Sequence, residues 1–224
     1  MIKVEIPFGL EWIDEEDTLL VCDSEQIKPS SKVAAFDMDS TLIVPKSGNK
    51  FPSGRSDWEW WDNKVPEKLK KLREEGFKIV IFTNQAGIEK NKQNPEHLKG
   101  KILDMCSELG FGVQVFMACA TDKHRKPNST MWEKMESKYN GGISLDVPEC
   151  IYVGDAAGRK KDWKVGAKKD HSADDRKFAF NVGVDFKTPE EFFLAEKPTD
   201  SWEWKGVDPK TLLEKYEKEG EKRK

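Results

Sequence analysis

The sequence predicts an α/β fold built on a doubly wound, mostly parallel sheet. Three observations carry that prediction. Short continuous apolar runs, at residues 33–36, 77–82, 113–118 and 150–153, alternate with amphipathic stretches of helical period. Stop residues such as Gly76 and Gly110 punctuate the alternation. Distinctive polar residues follow the strands: Asp37 and Asp39, then Thr83, Asn84 and Gln85, then Asp155. Ligands of such sheets bind outside the carboxyl ends of the strands, so these residues are expected to meet.

Taken in order, residues 1–30 form an acidic N-terminal segment. Eight acids stand against Lys3 up to residue 25. Residues 18–22 read as a strand, placed as a hairpin or as an edge element before Val33. A main domain is expected over 31–200. In it, 33–44 supplies a buried strand and its polar end, 45–50 is turn chemistry, and 51–61 ends in Trp58, Trp60 and Trp61. Helices are expected at 66–75, 95–109 and 130–139, and strands at 77–82, 113–118 and 150–153. Residues 178–182 begin a last core element. Residues 201–224 are a charged tail, rich in Lys and Glu and helical in pattern from 205.

The totals narrow the class. The 224 residues are 37% hydrophobic and 35% charged, the pattern of a charged globular chain. No apolar run reaches membrane-spanning length, so no membrane partner is expected, and no secretory leader is evident. Cys22, Cys106, Cys119 and Cys150 lack close pairing. They read as free buried thiols of an intracellular protein and argue against a zinc site. A net charge of −3 does not mark a nucleic-acid binder, yet residues 159–177 carry eight bases against four acids.

Asp37 and Asp39 stand two apart at the end of an apolar strand, which sends both carboxylates to one side. Two readings are open: an Asp/Ser turn closing the strand, or a carboxylate pair held together by a cation. Aspartates, a hydroxyl/amide pair, a lysine and a further acid are a set suited to phosphoryl transfer. An aspartate can attack phosphorus, magnesium prefers carboxylate oxygens, and a fixed lysine offsets phosphoryl charge.

Asp37-Met38-Asp39-Ser40-Thr41 resembles the DxDGT signature of the haloacid dehalogenase superfamily, with Thr83, Lys126 and Asp155 where its later motifs fall. The runs 81–88, 125–127, 153–159, 168–170, 173–176 and 188–194 resemble the polynucleotide kinase 3′-phosphatase family within it, over roughly 18–212. The resemblance implies a haloacid dehalogenase-like Rossmannoid phosphatase domain at 31–200 with a small or absent cap. It implies Asp37 as nucleophile and Asp39 as acid and base. Mg²⁺ would be held by the Asp37 and Asp155 carboxylates and the Asp39 carbonyl. Thr83 and Lys126 would bind phosphate, with Asn84 assisting, and Asp175 and Arg176 would support the site from behind. The implied substrate is DNA with 3′-phosphate ends, in strand-break repair, for a monomeric nuclear protein. Ser40 stands where the signature has Gly, which suggests that positive φ is not needed there. The sequence contains no GxxxxGK[ST] loop, so no 5′-kinase domain is expected in this chain.

The spaces between Asp39 and Thr83 and between Thr83 and Lys126 are too short for a full cap, which leaves the site open to a polymer end. Beside it Arg159, Lys160, Lys161, Lys164, Lys168 and Lys169 could follow a phosphodiester backbone. Trp58, Trp60, Trp61 or Trp163 could stack a base, although packing is the ordinary fate of each. His97 and His124 are expected at the surface, and His171 is a loop residue that could touch DNA. The alternative function is a small-molecule phosphatase of the same superfamily acting on sugar or histidinol phosphates. A non-catalytic end-binding module is a third reading.

Overall fold

The computed structural model describes residues 6–206 together with Asp208 and Thr211. Beyond residue 206, the tail helix expected from the sequence lies outside the described residues, those two apart.

The chain opens with β1 (Glu11–Glu16) and β2 (Leu19–Asp23), an antiparallel hairpin. Then come β3 (Val33–Phe36), β4 (Ile43–Val44), β5 (Glu59–Trp60), α1 (Lys64–Glu74), β6 (Lys78–Asn84), α2 (Pro95–Leu109), β7 (Gln114–Ala118) and α3 (Thr130–Tyr139). The chain continues through β8 (Ile151–Val153), α4 (Asp174–Val182), β9 (Asp185–Lys187) and α5 (Pro189–Phe193). The main sheet runs β1-β2-β7-β6-β3-β8-β9, with β7, β6, β3, β8 and β9 mutually parallel. The hairpin joins through antiparallel pairing of β2 with β7, away from Val33.

Two apolar layers cover the sheet because its central strands β3, β6 and β7 are buried on both faces. Ala34, Phe36, Ile79, Ile81, Val115 and Met117 face Leu69 of α1 and Ile102 of α2. Val33, Ala35, Val80, Phe82 and Phe116 face Trp132 of α3 and Phe178 of α4. Phe82 anchors the second layer, with ring centroids 5.3 Å from Phe116 and 5.4 Å from Phe178. Residues 178–182, expected to begin a core element, are the end of α4. Caps set the helix ends by local chemistry. Asn94 accepts from the Glu96 amide at 2.8 Å, Pro95 opens α2, and Gly110 closes it in the left-handed conformation.

The acidic N-terminus now has a physical role. Glu15 accepts hydrogen bonds from Lys138, at 2.6 Å, and from Tyr139; Glu16 pairs with Lys134 and Lys123, both at 2.7 Å. The acids of β1 thus dock the hairpin on the basic side of α3. Lys123 and Lys134 hold the Glu16 carboxyl down at about 2. His124, expected at the surface, is fully buried and bonds Glu16 Oε2 at 2.9 Å. All four cysteines are buried and free. Among the described residues no helix is long and apolar enough to cross a membrane.

The sheet order makes β3 the centre. The chain leaves it toward β6 and β7 on one side, then returns to β8 and β9 on the other. The carboxyl ends of β3, β6 and β8 therefore lie side by side at the switch point. Between β3 and α1 the chain makes only the two-stranded β4/β5 ribbon and its loop. Among the described residues no large cap closes over the strand ends.

Candidate active site

Asp37 follows β3 directly, and its amide donates to the Val153 carbonyl at 2.9 Å. Asp39 stands two residues on, exposed at the mouth. The turn closes by amides 41, 42 and 43 all donating to the Met38 carbonyl. Ser40 has φ +63°, so the suggestion that this position avoids positive φ is corrected. The turn still requires a left-handed residue there, and the serine is exposed and accepts the local strain. Thr41 is buried; its hydroxyl oxygen accepts from the Asp155 amide at 3.0 Å and lies 3.5 Å from carboxylate oxygens of both Asp37 and Asp155. It ties the β3 turn to the β8 turn.

Lys126 crosses the centre of the site. Its Nζ donates to Asp37 Oδ1 and Asp175 Oδ1, both at 2.7 Å, and to the Tyr152 hydroxyl at 2.8 Å. Three partners use all three donors of an ammonium, so Lys126 reaches a phosphate oxygen only by exchanging one of them. Burial alone would depress this ammonium, but Asp175 and Asp37 outweigh it and raise Lys126 above the ordinary lysine range. Burial pushes the Asp37 carboxyl up to about 7 despite Lys126, with Asp175 and Asp39 adding repulsion. Asp155 is raised by burial first and by Asp37 and Asp175 next.

Asp37 and Asp175 thus hold one ammonium between them, and Asp39 and Asp155 line the same cleft. Carboxylate oxygens of Asp37, Asp155 and Asp175 lie within 4.8 Å of one another. A hard, all-oxygen donor set with negative charge left over fits a divalent metal ion. Asp175 was expected behind the site; it belongs to this central group. Gly154 permits that, because a Cβ there would lie 2.4 Å from Asp175 Cγ.

The cleft has a volume of about 130 Å³ and is lined by Asp37, Asp39, Thr83, Lys126, Asp155 and Asp175, among others. Roughly 30 Å³ per water makes this room for a phosphoryl group and little more. Thr83 is buried at its wall, and its oxygen accepts from Gln85 Nε2 at 2.8 Å, which leaves its own proton to donate. Asn84, expected as a phosphate ligand, clamps the Lys126 backbone instead. Its Oδ1 accepts from the Lys126 amide at 2.9 Å and its Nδ2 donates to the Lys126 carbonyl at 3.2 Å.

The basic run divides. Arg159 is 4% exposed, so it is corrected from a backbone-following residue to an internal tie. It pairs with Asp170 at 2.9 Å and Glu190 at 2.7 Å, and stacks on Trp163 at 4.0 Å. Lys160, Lys161, Lys168 and Lys169 are all exposed. They sit on the loop that leads from Asp155 to His171 and Ser172, all three at the cleft. Arg176 points away, its guanidinium 4.1 Å from the Trp202 ring and 4.6 Å from that of Phe186. Trp58, Trp60 and Trp61 pack in or against the core, so the packing reading describes them. Sequence reasoning missed Thr41 and Tyr152 as parts of the site, and placed Gln85 at the strand end without giving it a role. Thr41 and Gln85 stood inside quoted motifs, while Tyr152 looked like any strand aromatic.

Residues 32–193 match the family described as polynucleotide kinase 3 phosphatase. A bifunctional polynucleotide phosphatase/kinase of Schizosaccharomyces pombe is 37% identical over 192 residues, covering 86% of this chain and 43% of that protein. The polynucleotide 3′-phosphatase ZDP of Arabidopsis thaliana is 35% identical over 198 residues, covering 82% of this chain and 27% of that protein. The chain thus spans less than half the length of either relative. Among solved structures, a D,D-heptose 1,7-bisphosphate phosphatase of B. bronchiseptica, complexed with magnesium and phosphate, superposes with a TM-score of 0.54 at 16% identity. It covers 76% of this chain and 90% of that one.

Proposed function

The chain belongs to the polynucleotide kinase 3 phosphatase family, and from that premise we propose that it is a phosphoric monoester hydrolase that converts 3′-phosphate ends of polynucleotides, DNA above all, to 3′-hydroxyls. The observation that carries the proposal is the buried Asp37–Lys126 pair, 2.7 Å apart, at the floor of a cleft sized for a phosphoryl group and ringed by three further aspartates. A small cleft without a cap leaves the remainder of the substrate outside, which suits the end of a chain.

In the reaction, a carboxylate oxygen of Asp37 forms a bond to phosphorus as the bond from phosphorus to the 3′ oxygen breaks. Asp39, at the mouth, gives its proton to the departing oxygen. Asp39 then takes a proton from the water that attacks the aspartyl phosphate, which releases inorganic phosphate and restores both carboxyls. Thr83 donates to a phosphate oxygen, and Lys126 offsets the phosphoryl charge as Asp37 is consumed. Mg²⁺ is the ion proposed for the carboxylates of Asp37, Asp155 and Asp175; bound there, it would neutralise phosphate charge.

The test is Mg²⁺-dependent phosphate release from 3′-phosphorylated DNA and RNA oligonucleotides beside a panel of sugar and histidinol phosphates. The expected result is preferred turnover of the oligonucleotides, with DNA the better, and loss on chelation. Preference for a sugar phosphate would replace this reading by the small-molecule one. A monomeric state and a nuclear location rest on the family resemblance and belong to the same proposal. Light scattering and imaging of a tagged chain read them.

Lys160, Lys161, Lys168 and Lys169 are proposed to follow the backbone of that polymer. Changing the four to alanine is expected to lower kcat/KM several-fold more on an oligonucleotide than on p-nitrophenyl phosphate. It should also flatten the dependence of kcat/KM on log salt, each lost phosphate contact reducing the slope by about 0.7–0.9. An unchanged slope would remove the lysines from the substrate path.

A further inference from the structure

Gln85 is 2% exposed, and both donors of its amide and its carbonyl oxygen are engaged. Nε2 donates to Asp39 Oδ2 at 2.6 Å and to Thr83 Oγ1 at 2.8 Å, and Oε1 accepts from Gln93 Nε2 at 2.9 Å. An ionised carboxylate only accepts, so the amide nitrogen faces Asp39 in that form, and the proton Asp39 carries as an acid belongs on its other oxygen. The backbone is equally fixed, since the Gln85 amide donates to the Ala118 carbonyl at 2.7 Å. Gln93 is held in turn: its amide donates to the Gly87 carbonyl at 3.1 Å, and its side chain lies against the bare α-carbon of Gly87. A Cβ at Gly87 would come within 2.3 Å of Gln93 Oε1.

The Asp39 backbone bridges to Ile43, but its carboxylate has no other hydrogen-bond partner among the described residues. The residue is exposed, it directly precedes the left-handed residue Ser40, and Gln85 is the one side chain among the described residues that hydrogen-bonds its carboxylate. One oxygen is thereby pinned and the other is left free at the cleft mouth. The same amide nitrogen bonds the Thr83 hydroxyl, so one rigid group sets the spacing between the proton donor and a phosphate-binding hydroxyl.

We propose that Gln85, braced by Gln93 over Gly87, is the positioning residue that aims the free oxygen of Asp39 at the leaving oxygen of the substrate. The proposal rests on Asp39 being the acid and base of the proposed reaction. Its signature is leaving-group dependence. A sugar 3′ oxygen needs the proton as its bond to phosphorus breaks, whereas p-nitrophenolate departs as a stable anion. A purely structural defect would slow both substrates alike.

The test measures single-turnover release of the leaving group, with Mg²⁺, from a 3′-phosphorylated oligonucleotide and from p-nitrophenyl phosphate. Gln85→Met retains the bulk and removes the donor. It is expected to lower the oligonucleotide rate about 10- to 100-fold more than the p-nitrophenyl rate, within the range of general acid catalysis. Gln93→Ala should shift the same ratio in the same direction by less. An unchanged ratio in both variants overturns the proposal. If circular dichroism shows Gln85→Met unfolded, the Gln93→Ala ratio decides alone. Wild-type protein that takes p-nitrophenyl phosphate but no oligonucleotide would overturn the polynucleotide reading instead. The Gln85 ratio is then taken on whichever alkyl phosphate of the panel the wild type accepts.

Discussion

Asp37→Asn is expected to abolish phosphate release from a 3′-phosphorylated oligonucleotide, with a loss of about 10⁴-fold or more, because Asp37 is the carboxylate paired with Lys126 at the cleft floor and Asp39 serves as the acid and base. The amide keeps the shape but cannot form the acyl phosphate. The change should also alter stability, and the sign follows from burial. The folded state raises this carboxyl to about 7 from an ordinary value near 4. Between those values the folded chain binds more protons than the unfolded chain, so stability falls as pH rises through that window. Asp155 is shifted in the same direction. Glu16 and Asp57 are held near 2, and their stabilisation is lost only below the window. In chelator, the urea midpoint should therefore fall from about pH 5.5 to about pH 7.5. Asp37→Asn should flatten that fall and exceed the wild type at the upper pH. Divalent charge among the aspartates favours their ionised forms, so added Mg²⁺ should raise the midpoint most at the upper pH. A midpoint that climbs with pH in chelator would refute this account of the acidic cluster.

Lys126→Met should cost both activity and fold. The ammonium is 2% exposed and is shared by Asp37, Asp175 and Tyr152. Removing it leaves buried carboxylates without a counter-charge, a change that costs about 3–5 kcal/mol. Losing a fixed cation at the transferring phosphate should lower kcat by about 10²–10³-fold. Lys126→Arg retains the charge, but a planar fork does not replace a compact ammonium that donates in three directions. It should keep more stability than Lys126→Met and little more activity. Urea unfolding beside oligonucleotide turnover separates the two effects. Near-native turnover by either variant would remove Lys126 from the phosphate site.

Some of this was legible before any coordinate. Continuous apolar runs identify strands buried on both faces, and a carboxylate pair just after such a run must lie at a strand end. Those are local statements, since a strand's period and its polar terminus are written in neighbouring residues. Hence Asp37, Asp39, Thr83 and Asp155 could be placed at one edge of one sheet. Helix stops such as Gly110 are local in the same sense.

Partner choice was not local. Asp37 and Lys126 are 89 residues apart, and His124 and Glu16 are 108. Whether such pairs meet depends on sheet order, which places β3 between β6 and β8 and sets the hairpin on β7. His124 and Arg159 read as surface groups because polarity alone predicts exposure; both are buried, each supplied with acidic partners by distant segments. By itself the sequence determined the layered fold and which strand ends carry reactive groups, because backbone period and strand termini follow from adjacent residues. The tertiary structure alone decided that Asp175 and Tyr152 share Lys126, that Asn84 clamps a backbone, and that Gln85 holds Asp39. Each of those roles is a hydrogen bond between groups that only the order of strands across the sheet brings within 3.2 Å.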